Sequence, residues 1–227
     1  MSLPLDICID TSDNQERRAP IDWPAVYADG IRIAFIKIMQ DPMARYSGWE
    51  AQVTGARAAG IFVIPYAFLV PADPASYAKE FAVRADPLEP GGAFMLDWEG
   101  RASQTCTPPV AEAIGRELAA RYGRDPIGYW GLPGSTPAMP TEIMLGWPRT
   151  VPRYPNGAAE QFDDLPERDI LDPILAVKTE RGGLPVFWQY TANGKVKGIT
   201  GPVDRSVAFF PTEADAIAWC AGKGPQR

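Results

Sequence analysis

The chain has 227 residues, 46% of them apolar, and carries 28 acidic against 22 basic side chains for a net charge of −6. That balance, with no Lys/Arg cluster, argues against a nucleic-acid partner, and the length suits one large domain spanning 1–227. Histidine is absent, which removes Ser-His and Cys-His catalysis and most transition-metal sites and leaves carboxylates as the default chemistry.

Cys8, Cys106 and Cys220 form neither a disulfide framework nor a zinc spacing, and no EF-hand-like run of acids is present. No metal and no cofactor are expected. The 24 prolines and 21 glycines imply many turns rather than disorder, because apolar periodicity persists between them. Met1 to Asp10 lacks the basic and apolar regions of a signal peptide, and no run is long enough to span a membrane. The expectation is a monomer made in the cytoplasm, with no membrane partner.

In chain order, Leu5 to Asp10 alternates and reads as a first strand, followed by a polar loop over Thr11 to Asn14. Asp22 caps a helix with Pro24 in its first turn and Gly30 at its end. Ile31 to Ile38 is the second strand. Trp49 to Ala59 is a helix stopped by Gly60, and Ile61 to Tyr66 is the third strand, with Pro65 at its end. Ser76 to Ala85 is a third helix.

Phe94-Met95-Leu96-Asp97-Trp98-Glu99 is the fourth strand, an apolar run between glycines that ends in two carboxylates at i and i+2. Residues two apart in a strand share a face, so Asp97 and Glu99 project together, roughly 7 Å apart along the chain. Like charges so close raise the pKa of one of them, the arrangement a general acid beside a stabilising carboxylate needs. Pro109 to Tyr122 is the next helix, ended by Gly123, and Ile127 to Trp130 is strand five.

The β-α alternation over the first 130 residues implies a parallel sheet, open or closed. No Gly-x-Gly-x-x-Gly follows strand one, which argues against a dinucleotide fold. Between 131 and 184 the prolines at 133, 137, 140, 148, 152, 155, 166 and 173 leave no room for long helices, and Ile143 to Trp147 reads as a short strand. Val186 to Thr191 is a strong strand. Asn193-Gly194 is the best hairpin signal in the chain, with Lys195 to Ile199 returning antiparallel. Val203 to Ser206 follows, and Thr212, with Asp215 three residues on, caps a last helix through Cys220.

If the strands close into a barrel, their C-terminal ends share one mouth. Asp10, Asp97, Glu99 and Asp204 then converge there, an arrangement that is costly unless the site uses it. Tyr66, Phe68, Trp98, Tyr129, Trp130, Trp188 and Tyr190 lie at or near the same strand ends. Aromatic faces beside carboxylates are a sugar-binding composition, although any single one of these rings is also ordinary core material.

Ile9-Asp10-Thr11-Ser12, Ile21-Asp22-Trp23, Phe35-Ile36-Lys37, Pro65-Tyr66-Ala67-Phe68, Leu96-Asp97-Trp98-Glu99, Trp188-Gln189-Tyr190-Thr191 and Gly201-Pro202-Val203-Asp204, in this order, resemble family 25 of the glycoside hydrolases. These are the Chalaropsis-type lysozymes, which include many phage endolysins. The resemblance runs from about Asp6 to Phe209.

It implies an irregular TIM-like β/α barrel, with about five β/α units followed by β strands. It also implies cleavage of the β-1,4 bond between N-acetylmuramic acid and N-acetylglucosamine, with peptidoglycan or a related polysaccharide as partner. By position, Glu99 resembles the proton donor and Asp97 the carboxylate that stabilises the transition state, for instance by orienting the substrate's acetamido group. Asp10 and Asp204 resemble the other acids of the site. A nucleophilic Asp204 and substrate assistance both stay open for a retaining enzyme. Tyr66, Phe68, Trp98, Tyr129, Trp188 and Tyr190 are the expected substrate-binding aromatics. The chain departs from the family pattern where histidines follow the Ser12 position and replace Ala67, and where Met39-Gln40-Asp41 stands for Thr-Glu-Gly. Those departures keep two alternatives in play: a non-catalytic glycan-binding or phage structural barrel, and a barrel glycosidase of other amino-sugar specificity.

Overall fold

In the computed structural model, residues 4–40, 47–88, 92–100, 106–130, 139–154, 159–165 and 185–223 are described. Eight strands close into a barrel in chain order: β1 (Leu5–Thr11), β2 (Ile33–Met39), β3 (Phe62–Phe68), β4 (Met95–Asp97), β5 (Ile127–Tyr129), β6 (Arg149–Pro152), β7 (Pro185–Gly194) and β8 (Val203–Ala208). Strands β1 to β7 pair in parallel, and β8 runs antiparallel to both β7 and β1. Helices α1 (Asp13–Glu16) and α2 (Trp23–Ala28) follow β1. Helices α3 (Trp49–Ala58), α4 (Pro74–Ala85) and α5 (Pro108–Tyr122) follow β2, β3 and β4, and α6 (Glu213–Cys220) comes last. This is the irregular β/α barrel that the alternation and the resemblance implied.

Local chemistry sets the helix starts. Asp22 accepts from the Ala25 amide, Asp73 from Ser76 and Thr212 from Asp215, each satisfying an amide that the first turn leaves unpaired. The loop read after β1 instead contains α1, because Ser12 and Gln15 form a reciprocal capping box.

Two other readings are corrected. Met144–Gly146 is a 3₁₀ turn, and the strand of this region is Arg149–Pro152. Asn193-Gly194 is not a hairpin turn: both residues belong to β7, Lys195 to Ile199 is not a strand, and the antiparallel return is β8. Gly194 is required for a different reason. A Cβ there would lie 2.5 Å from Cγ of Arg205 and 2.7 Å from the Val203 carbonyl, so the glycine permits close approach of β8. Asp41 and the prolines at 133, 137, 155, 166 and 173 lie outside the described residues.

The strands bury both faces. Their outer face packs on the helices through Ile9, Ala34, Ile36, Val63, Leu96 and Trp98. The inside of the barrel is apolar at its N-terminal end, where Phe35, Phe187, Phe210 and Trp219 meet edge to face or tilted, with Phe35 and Phe187 centroids 5.1 Å apart. Helix α6 plugs that end, held by the Ala93 amide and by Arg124 donating to the Trp219 and Cys220 carbonyls. Cys8, Cys106 and Cys220 are buried free thiols. Among the described residues no helix is long and apolar enough to cross a membrane.

Candidate active site

With its N-terminal end filled, the barrel interior turns polar toward the C-terminal ends of the parallel strands. Each functional group arrives there by strand alternation. In β4, Met95 faces inward and Leu96 outward, so Asp97 returns inward. Asp10 follows the outward Ile9 in β1, and its register partner across the antiparallel β1–β8 pair is Asp204. Directly opposed residues of such a pair share a face, about 5 Å apart. Glu99 lies just beyond β4, partly exposed, its charge acting on Asp97, Asp10 and Asp204. The barrel thus brings together Asp10, Asp97, Glu99 and Asp204.

Burial dominates the electrostatics. It holds the carboxyl of Asp10 well above the usual carboxylate range, and the charge of Asp204 adds to the effect. Asp97 is likewise pushed well up by burial, by the Glu99 charge and by a hydrogen bond with Glu99. Asp204 is raised to about 6 by burial and then by Glu99. One oxygen of Asp97, Oδ1, is buried without a hydrogen-bond partner, a costly state that a bound donor would relieve. A cation opposes the crowding: Lys37, inward on β2, favours the ionised form of Asp97. Among the described residues no group of three or more acid, cysteine or histidine side chains is arranged to hold a metal ion.

Three residues of this mouth were not singled out from the sequence as site residues. Lys37 is one. The others are Gln189 and Tyr154: Gln189 Nε2 donates to Asp10 Oδ2 at 3.2 Å, while Tyr129 (2.8 Å) and Tyr154 donate their hydroxyl protons to Gln189 Oε1. Alternation in Trp188-Gln189-Tyr190 carried a usable signal, since a polar residue between two large aromatics takes the face they do not.

The aromatics divide. Tyr66 and Tyr129 line the barrel interior, and Phe68 is in register with Asp97. Trp98, Trp188 and Tyr190 do not reach the mouth, which corrects their expected place among the substrate-binding rings. Trp98 packs edge-on against Trp130 in the outer layer, its indole N–H donating to the Cys106 carbonyl at 2.7 Å. Trp188 and Tyr190 pack around Phe162 on the opposite face of β7 from Gln189. The Trp188 indole donates to the Arg153 carbonyl, and the Tyr190 hydroxyl donates to Asp6, which also pairs with Arg205. The rule that brings Asp97 and Glu99 together also turns Trp98, the residue between them, away.

The sequence model of the glycosyl hydrolases family 25 matches residues 9–133, more than half of the chain. The chain belongs to that family. It is therefore a glycosidase of the lysozyme type. No protein among curated sequences matches the chain significantly. Among solved structures, the fold is similar to that of a bacterial lysozyme from Streptomyces coelicolor, at 21% identity and a TM-score of 0.70, with 99% of each chain covered. It is also similar to a muramidase from Trichobolus zukalii (18%, TM-score 0.63, 97% of this chain and 100% of that one). The catalytic domain of endolysin ply40 from bacteriophage P40 of Listeria monocytogenes matches at 14% and a TM-score of 0.65, covering 98% of this chain and 99% of that one.

Proposed function

We propose that this family 25 glycosidase hydrolyses the β-1,4 bond between N-acetylmuramic acid and N-acetylglucosamine of peptidoglycan, with retention of configuration. The observation that carries the reading is the register pairing of Asp10 with Asp204, with Asp97 and Glu99 acting electrostatically on them across one barrel mouth. Buried like charges in that number are a cost that a binding surface gains little from, and a site that moves protons uses them.

In this reading Glu99, partly exposed just beyond β4, donates a proton to the leaving glycosidic oxygen. Asp97, with its unpartnered buried oxygen, takes a hydrogen bond from the sugar, its acetamido N–H being the fitting donor. Asp204, titrating near 6, is ionised at neutral pH and supplies negative charge to the oxocarbenium-like transition state, either as nucleophile or beside a self-assisting substrate. Burial and the Asp204 charge both favour the protonated form of Asp10, which lessens the repulsion within the Asp10–Asp204 pair. Tyr66, Phe68 and Tyr129 are the aromatic residues of the interior that remain to border a sugar. Release of the protein to the cell wall, and activity there as a monomer, belong to the same proposal.

The test is clearing of purified peptidoglycan by wild type and Glu99→Gln, with released reducing ends identified. Wild type is expected to produce N-acetylmuramic acid ends, and Glu99→Gln to lose on the order of a hundredfold or more in rate. Equal clearing by both proteins would remove Glu99 from the mechanism. Saccharide binding without turnover by either would remove the hydrolase assignment.

A further inference from the structure

The hydrogen bonds around Gln189 form a directed chain. Its side chain is buried, at 2% exposure, and has both ends occupied. Two phenols converge on one end and a carboxyl group on the other. Phenol hydroxyls of Tyr129 and Tyr154 stay protonated, since burial pushes both further from ionising. Each therefore has a proton to give, and the atom that can accept two is the carboxamide oxygen. The NH₂ group is left facing Asp10. Rotating the carboxamide by half a turn would take from both hydroxyl protons the oxygen they share and withdraw the N–H donor from Asp10. The amide is thus held in one orientation by partners on β5 and on the segment after β6, while β7 supplies the amide itself.

We propose that Gln189 is a positioning residue: clamped by Tyr129 and Tyr154, it fixes the orientation of the Asp10 carboxyl against Asp204. The inference rests on the reading of the mouth as a glycosidase site, and it names a function for residues that touch neither the scissile bond nor the proton donor. The N–H bond favours the charged form of Asp10 against the opposing influences, which come from every side. They are the burial of Asp10 itself, then Asp204 on β8, with Glu99 and Asp97 from β4; the Ser206 side chain on β8 favours the charged form alongside Gln189, and Lys37 on β2 acts on Asp97. Tyr154 is 45% exposed, so the chain runs from the solvent-facing rim to the buried acid. A saccharide settling on that ring shields the outer phenol bond from water and tightens the clamp.

The experiment follows the carboxyl carbon of Asp10 directly. Protein labelled with ¹³C at aspartate carboxyl positions, with Asp10 assigned through Asp10→Asn, is titrated as wild type, Gln189→Leu and the double variant Tyr129→Phe/Tyr154→Phe. Peptidoglycan hydrolysis is measured on the same samples. Loss of the N–H donor in Gln189→Leu is expected to raise the Asp10 midpoint by about one pH unit, a tenfold change in its equilibrium. The double variant removes two hydroxyls without changing ring packing and frees the amide to turn, so it moves the midpoint in the same direction. In both, kcat is expected to fall about tenfold with KM within about twofold, and the pH limb to move with the Asp10 midpoint. An unmoved midpoint overturns the clamp, and the double variant decides if Gln189→Leu does not fold. A moved midpoint in a protein whose wild type hydrolyses nothing upholds the clamp while the hydrolase reading fails. Hydrolysis with an unmoved midpoint does the reverse.

Discussion

Asp204 is the residue whose chemistry is most exposed to measurement. Its carboxyl titrates near 6 in the folded chain against about 4 in an unfolded one, because burial and the Glu99 charge both penalise the anion. If the anion is the working form, hydrolysis falls on the acid side of about pH 6, and in Asp204→Asn that limb disappears along with most of the activity. A pH–rate profile of the two proteins checks this, and an unchanged acid limb in the variant would assign it to another group. Trp98 makes the opposite case. It stands between two carboxylates in sequence, yet it is buried against Trp130 and bonded to the Cys106 carbonyl. Trp98→Ala is expected to cost about 3–5 kcal/mol in denaturant unfolding, the usual penalty for emptying a buried aromatic site. Saccharide affinity of the fraction that folds should stay near the wild-type value.

At the level of elements, β7 and β8 bring Gln189 and Asp204 to the mouth, and their close approach depends on glycine. A methyl at position 194 meets the Arg205 side chain and the Val203 carbonyl at distances that real Cβ atoms do not tolerate. Arg205 is in turn tied to Asp6 at 2.7 Å and to the Lys195 carbonyl. Gly194→Ala should therefore destabilise by about 1–3 kcal/mol, whereas Asn193→Ala, on an exposed position of the same strand, should change stability by less than about 0.5 kcal/mol. Thermal melts of the two variants discriminate a packing role from a turn role, in which Asn193 would matter as well. Gly198 has the turn role at the far end of this connection: its φ of +92° and a Cβ position 2.4 Å from the Asp22 carbonyl admit no other residue without a shift.

For the molecule as a whole, the crowded mouth couples stability to pH. Asp10, Asp97 and Asp204 all have folded-state pKa values raised above their unfolded values. The native state therefore binds more protons than the unfolded chain above about pH 4, and stability declines as pH rises. For Asp204 the decline spans roughly pH 4 to 6 and amounts to at most about 3 kcal/mol, and Asp10 and Asp97 act in the same direction. Melting temperature should accordingly be higher at pH 5 than at pH 8, and Asp97→Asn should flatten the difference while stabilising the protein at pH 8. A melting temperature that rises from pH 5 to pH 8 would mean that the carboxyls of the mouth are solvated in the folded chain. The trade between stability and a charged site is the one expected where function demands groups that folding does not favour.

Much of this architecture was legible in the chain. Alternation marked β1 and apolar runs marked β2, β3, β5 and β7, side-chain caps such as Asp22 and Thr212 marked helix starts, and Gly123 marked a helix end, because these signals act over a few residues. The motif order placed the acids on strand ends, and the i, i+2 spacing of Asp97 and Glu99 set them on one face. What the chain alone did not decide was which face of each strand is inside. Trp188 and Tyr190 could have bordered the mouth, and Gln189 could have been outside, until closure of β8 onto β1 fixed the register. That closure opposes Asp10 and Asp204, residues far apart in the chain, and turns Gln189 toward them. Local sequence determines periodicity, but the sign of the periodicity, inward or outward, is set by long-range pairing, since one residue of register exchanges the two faces.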